Sequence, residues 1–379
     1  MDSSLPLFSV WGIAIRMHIT FPLILIWAAL RFGVFSGGGW GGALFGVIVI
    51  ILLFVIVIMH ELGHSLAALR FGVPVKQIVL LPIGGVAQLS RIPEKPVQEF
   101  VIAIAGPLVN FGLAIVLALI GFIPGLSIDW SNLPALLEGA EGFSLASIFA
   151  YISVSNLFLG IFNLLPAFPM DGGRVLRALL ATQLDYVQAT NIAVYVGQAM
   201  AWLFGLWGFL GGGFFVILLA VFIFAGASQE RQLVQVRNVL RGLTVEQAYS
   251  REPHRLAPHS TLRDAVDLTF SSFQADFPVC DDERLVGLLT HTRLLEALDR
   301  YSPDMLVSEV MEAEIEPVRP QDGLFAVQQR LAESNLDALP VVDQDRFLGL
   351  ITNRDVSEVY RLLSHRPDLA IALTRTTQP

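Results

Sequence analysis

The stretch Ile58-Met59-His60-Glu61-Leu62-Gly63-His64 closes an apolar run that begins near residue 43. Residues four apart on a helix lie about 40° from each other around the axis, so His60 and His64 share one face and can hold one Zn²⁺. Glu61 stands about 100° from His60, beside the metal, where a carboxylate can take a proton from a neighbouring water. In a soluble helix the same residues could serve helix packing alone. Here two imidazoles and a carboxylate end a hydrophobic span, and intramembrane ionisable groups are costly and mark function.

The surroundings of this helix read as membrane. Of 379 residues, 54% are apolar and 15% charged, against about 45–50% and 25% in an ordinary soluble domain. Residues 1–230 hold 8 Lys/Arg and 10 Asp/Glu, and residues 231–379 hold 16 and 23. The first part is membrane-embedded, and the second is soluble and acidic. A net charge of −9 speaks against nucleic acid as a partner. One cysteine, Cys280, excludes an internal disulfide framework and a Cys₄ zinc site. The start Met1-Asp2-Ser3-Ser4 has no basic region and is not expected to be a cleaved signal.

A membrane span needs about 20 apolar residues. Such stretches lie near 17–35, 43–69, 98–123 and 143–165, and a longer one covers 187–227. Gly205, Gly208 and Gly211 to Gly213 break the last into two, the second of them short, for about six helices. Arg70, Lys76, Arg91 and Lys95 follow span two, Arg174 and Arg177 span four, and Arg231, Arg237 and Arg241 span six. Asp129, Glu138 and Glu141 occupy the loop between spans three and four. Basic loops face the cytoplasm. The expectation is a multi-pass cell-membrane protein with both termini and the soluble tail cytoplasmic.

Catalytic zinc takes three protein ligands and an open position. Histidines in the first 230 residues are His18, His60 and His64, and acids near span ends include Glu99, Asp171 and Asp185. Asp171 sits in Asn163-Leu164-Leu165-Pro166-Ala167-Phe168-Pro169-Met170-Asp171-Gly172-Gly173, where two prolines and a glycine pair break the helix. Irregular backbone at membrane depth belongs where it is buried in protein or lines a wet cavity. Spans two and four run in the same direction, so Asp171 reaches the depth of His60 and His64. One zinc per chain on these three residues is the expectation.

The tail repeats itself. Phe277-Pro278-Val279 with Leu285-Val286-Gly287-Leu288-Leu289-Thr290 recurs 62 residues on as Leu339-Pro340-Val341 with Phe347-Leu348-Gly349-Leu350-Ile351-Thr352. Each unit reads helix, strand, turn, strand, helix, with Asp281-Asp282-Glu283 and Asp343-Gln344-Asp345 as hairpin turns. Two copies make a paired module, not a solenoid.

The membrane part resembles the site-2 protease family of intramembrane zinc metalloproteases. The resemblance rests on His60-Glu61-Leu62-Gly63-His64, Gly106-Pro107-Leu108-Val109-Asn110, Asn163-x-x-Pro166 and Asp171-Gly172-Gly173. It implies zinc on His60, His64 and Asp171 and Glu61 as catalytic acid/base. The Gly84-Gly85 turn before Val86-Ala87-Gln88-Leu89 resembles the family's re-entrant β-loop, which implies that an extended substrate pairs there. Asn110 and Asn163 are substrate-binding candidates, though Asn110 suits helix joining equally well. The tail resembles a pair of CBS domains, chiefly through Gly349-Leu350-Ile351-Thr352-Asn353-Arg354-Asp355-Val356. That resemblance implies an adenine nucleotide (ATP, ADP or AMP) on Thr352 and Asp355. Arg293 replaces the Asp in the first repeat, which favours a single nucleotide site.

The expected architecture is a polytopic α-helical membrane domain with a re-entrant β-loop, followed by an α/β CBS pair. Its parts are a protease domain at 1–228, a connector at 229–242, CBS repeats at 243–300 and 301–365, and a tail at 366–379. The expected function is hydrolysis of a peptide bond in or next to a transmembrane segment of a single-pass or short membrane protein, modulated by nucleotide. A homodimer through the CBS domains is a further candidate partnership. A metal transporter or a non-catalytic adaptor could use the same cluster, but neither needs Glu61 between the histidines.

Overall fold

The computed structural model describes residues 4–89, 95–123, 126, 144–272, 274–334 and 336–366. Met1 to Ser3, Arg91, the acidic loop residues Asp129, Glu138 and Glu141, and residues 367–379 of the expected tail lie outside them. The chain forms two compact units, Met1–Gln232 and Leu233–Pro379.

The first unit opens with strands β1 (Ser4–Val10) and β2 (Ile13–His18), then helix α1 (Pro22–Leu30) with a wide turn to Phe35. Helix α2 (Gly39–Arg70) follows, then β3 (Val75–Leu81), β4 (Gly84–Leu89) and α3 (Pro96–Ile120). Helices α4 (Leu145–Asn163), α5 (Asp171–Leu180), α6 (Tyr186–Trp207) and α7 (Phe214–Leu240), the last as far as Gln232, complete it. Among the described residues, five helices are long and apolar enough to cross a membrane, beginning at Gly39, Pro96, Leu145, Tyr186 and Phe214.

The stretch expected to be span one differs. Its residues 17 and 18 belong to β2, and the apolar helix Pro22–Phe35 rises about 1.5 Å per residue, too short for a hydrocarbon core of about 30 Å. The break in the long stretch falls at Gly208–Gly213, where Gly211 and Gly213 take positive φ. The helix after it is not short. It has 27 residues, because the polar segment from Ser228 continues the helix without Gly or Pro.

The four strands form one sheet in the order β1-β2-β3-β4, with β2 and β3 parallel and the outer pairs antiparallel. Alternate residues of a strand face one side. Ile13 and Ile15 of β2 and Ile78 and Leu80 of β3 pack with Phe54 and Val57 of α2 in one buried cluster. The sheet therefore lies against the helix that carries His60. Leu81 pairs with Gly84, so Pro82-Ile83 make the hairpin turn. Gly84 and Gly85, expected to be the turn, are the first residues of β4.

The second unit repeats one motif. α8 (Leu262–Ser272), β5 (Phe277–Asp281), β6 (Arg284–Leu289) and α9 (His291–Arg300) make the first copy. α10 (Leu324–Ser334), β7 (Ala338–Asp343), β8 (Arg346–Thr352) and α11 (Asn353–His365) make the second. Both hairpins carry a bulge at equivalent positions, Val279/Cys280 and Val341/Val342. The lead-in segments are exchanged. Leu240, Leu243 and Val245 are buried in the core of the second copy with Leu324, Val341 and Ile351. Val307 is buried in the core of the first copy with Leu262 and Val279. The apolar residues just before each hairpin unit fill its neighbour's core.

Candidate metal centre

α2 places His60 and His64 one turn apart, both buried. Asp171 is the first residue of α5, where a carboxylate favours the positive end of the helix dipole. Gly172 permits this turn. A Cβ there would stand 2.3 Å from the carbonyl oxygens of Leu164 and Leu165. The fold thereby brings residues 107 and 111 positions apart in sequence into contact.

His60 Nε2, His64 Nε2 and Asp171 Oδ2 stand 3.1 Å from one another. His64 Nδ1 donates to the Ile102 carbonyl at 2.7 Å. A carbonyl only accepts, so Nδ1 carries the hydrogen and Nε2 of the neutral ring is bare. His60 Nδ1 meets Asn110 Oδ1 at 2.5 Å, which leaves its Nε2 bare as well. Two lone pairs and a carboxylate oxygen thus converge with no hydrogen between the two rings. Such a triangle repels itself, and a cation at its centre relieves it. Ligand atoms sharing a tetrahedral zinc at about 2.0–2.1 Å stand roughly 3.3 Å apart. Gly106 of α3 borders the same space. A Cβ there would lie 2.3 Å from His64 Nε2 and 2.7 Å from His60 Nε2. The residues present fit a zinc ion.

Glu61 Oε2 accepts the backbone N–H of Ala87 at 3.1 Å. Gly85 makes room for this contact, since a Cβ there would stand 2.9 Å from Glu61 Cγ. His60, Glu61, Gly84, Gly85 and Asn163 all line one cleft of about 280 Å³, together with Met170. Asn163 Nδ2 donates to the Leu159 carbonyl of its own helix.

Asn110 is placed elsewhere. It is fully buried, bonded to His60 on one side and to Asn156 on the other. It meets a metal-ligand candidate, because α3 packs directly behind the His60 ring. His18 bonds Thr20 in the turn before α1.

Two features escaped the sequence reading. Asn156 is an ordinary polar residue within an apolar helix, and only its partner makes it notable. Arg177, expected as a loop charge, is buried. It pairs with Glu99 of α3 and Glu230 of α7 and stacks on Phe168 and Tyr186, each at 4.9 Å. No local pattern distinguishes it from Arg174.

In the second unit, Thr352 and Asp355 form a capping box on α11. The Thr352 amide and hydroxyl donate to Asp355 Oδ2 at 2.9 and 2.7 Å, and the Asp355 amide donates back to Thr352 Oγ1 at 3.1 Å. In the first copy Thr290 caps α9, while Arg293 pairs with Glu312 at 3.3 Å.

Comparison with known proteins gives consistent matches. Residues 48–204 match the model of Peptidase family M50, and residues 245–300 and 307–361 each match the CBS domain. A zinc metalloprotease of Methanocaldococcus jannaschii is 31% identical over 369 residues, 97% of this chain and 99% of the relative. A putative zinc metalloprotease of Synechocystis is 30% identical over 387 residues, 94% of this chain and 95% of the relative. A solved site-2 protease structure from Methanocaldococcus jannaschii is 39% identical, covers 60% of this chain and 95% of its own, and has a TM-score of 0.45.

Proposed function

Because this chain belongs to peptidase family M50, the site-2 protease family of zinc metalloproteases, and carries two CBS domains in a multi-pass membrane protein, we propose that it is an intramembrane endopeptidase. It hydrolyses a peptide bond in or beside a transmembrane segment of another membrane protein. The supporting observation is that Glu61 and His60 border the same cleft as the start of strand β4.

A substrate helix hides its carbonyls in its own hydrogen bonds and must unwind locally. The extended segment pairs with β4 by strand addition, and Gly84 and Gly85 leave its backbone room to approach. Asn163 meets that segment at the cleft wall. His60, His64 and Asp171 would hold the zinc, which would supply Lewis acidity for the scissile carbonyl and acidify the attacking water. Glu61 takes a proton from that water and returns it to the leaving amine. The Ala87 amide keeps the carboxylate aimed while it is charged.

The CBS pair faces the cytoplasm in this reading, supported by Arg70, Lys76, Lys95, Arg174, Arg237 and Arg241. The CBS pair takes an adenine nucleotide that modulates cleavage. Asp355 Oδ1, outside the capping box, accepts from a ribose hydroxyl.

The test is Glu61→Gln in full-length protein with a single-span substrate. Zinc stays at about one per chain while cleavage falls at least about 10²–10⁴-fold, the usual loss of general acid–base help. Normal turnover by this variant would remove Glu61 from the mechanism and favour metal transit.

A further inference from the structure

Behind the metal ligands lies a pair of asparagines that the mechanism above does not use. Asn110 of α3 and Asn156 of α4 are both fully buried. Asn156 Nδ2 donates to the Asn110 backbone carbonyl at 2.9 Å, and Asn110 Nδ2 donates to Asn156 Oδ1 at 2.9 Å. Asn110 Oδ1 then meets His60 Nδ1 at 2.5 Å.

The chain of bonds has one consistent polarity. A backbone carbonyl only accepts, so the Asn156 atom facing it is the NH₂. The other Asn156 atom is then oxygen, and the Asn110 atom facing that oxygen is an NH₂. Asn110 therefore turns its own oxygen to His60, and His60 Nδ1 carries the hydrogen. The Nε2 of His60, 3.1 Å from Asp171 Oδ2, is left bare. Were the Asn110 amide turned over, its NH₂ would face Nδ1. The hydrogen would then sit on Nε2, inside the cluster. His64 needs no such help, because the Ile102 carbonyl orients it directly.

We propose that Asn156 is a positioning residue that, through Asn110, fixes which ring nitrogen of His60 is free to bind metal. The proposal rests on the metal-site reading and deepens it. It assigns a function to a side chain that touches neither metal nor substrate. The two bonds from α4 hold Asn110 in one orientation, and the amide passes that orientation to the ring. Loss of a group supporting a metal ligand typically costs 10–100-fold in metal affinity.

The experiment measures zinc affinity of the full-length protein by chelator competition. Asn156→Leu is expected to weaken zinc by about 10–100-fold. Asn110→Asp presents an oxygen to His60 whichever way it turns. In that background Asn156→Leu should therefore cost less than about threefold, well short of the usual loss at such a site. An equal loss in both backgrounds would make Asn156 a packing residue and overturn the proposal. So would an unchanged affinity in Asn156→Leu alone. Ring-¹⁵N spectra of the wild-type chain stripped of zinc give a reading that needs no variant. His60 should show a protonated Nδ1 and a bare Nε2, and the opposite tautomer refutes the assignment. A wild-type chain with the expected tautomer but no zinc binding would sink the metal reading instead.

Discussion

Glu61 and Ala87 are 26 residues apart, yet the Ala87 amide donates to Glu61 Oε2 at 3.1 Å. The proposed acid/base is thus held by the strand that the proposed substrate pairs with. Ala87→Pro removes the N–H given to Glu61. A hydrogen bond to a charged group contributes about 1.5–3 kcal/mol, or about 10–150-fold in rate. We expect kcat to fall by that order with zinc content unchanged, measured by turnover and metal analysis on the same preparation. An unaltered kcat shows that Glu61 is aimed without Ala87.

Gly106 bounds the space in which the metal fits. Gly106→Ala places a methyl 2.3 Å from His64 Nε2 and 2.7 Å from His60 Nε2. The ring atoms on α2 cannot retreat without breaking the bonds to Ile102 and Asn110. Purified Gly106→Ala should retain its helical circular dichroism and lose most of its zinc. Full zinc occupancy contradicts the placement of the centre between α2 and α3.

The buried Arg177 guanidinium pairs with the buried Glu99 and the half-buried Glu230. Removing one partner from a buried ion pair typically costs 3–5 kcal/mol, because the remaining charge stays desolvated. Arg177→Met should lower stability by about that amount in thermal denaturation of the detergent-solubilised chain. Adding Glu99→Gln and Glu230→Gln should restore much of it. A failure to recover would indicate that the stacking on Phe168 and Tyr186 matters more than the charges.

Thr352 and Asp355 carry two roles that separate by experiment. Asp355 is the N3 partner in the capping box with Thr352, so Asp355→Ala removes the acceptor of the Thr352 amide and destabilises α11 whether or not nucleotide binds. Asp355→Asn retains an acceptor for the Thr352 amide and hydroxyl, but it lacks the second carboxylate oxygen offered to a ribose. In titrations of full-length protein with ATP, ADP and AMP, both variants should bind more weakly than wild type. Only Asp355→Ala should also melt earlier. Wild-type binding by Asp355→Asn would leave the pair a cap and nothing more.

The legible parts of this protein are those encoded by neighbours in sequence. His60 and His64 share a face because four residues make slightly more than one helical turn. That relation needs nothing beyond α2. The 62-residue repeat announced its two hairpins through turn residues between apolar runs. The broken segment 163–173 marked Asp171, since prolines and glycines at membrane depth have few other uses. Span one is less legible for the complementary reason. Hydropathy sums apolar residues without telling strand from helix, so it does not separate Met17 and His18 of β2 from the helix that follows.

Other relations exist only because distant elements pack. The amide polarity that runs from Asn156 through Asn110 to His60 spans three helices, and none of its residues is unusual in its own segment. Ala87 is an alanine in a strand until β4 is laid along α2. Arg177 reads as a loop charge until α3 and α7 enclose it. Leu240 and Leu243 precede the first CBS repeat in sequence but fill the core of the second. Helical period, turn chemistry and hydropathy are short-range quantities, so the amino-acid order carries them directly. Hydrogen-bond direction and burial depend on which surfaces meet, and that is decided when the whole unit packs.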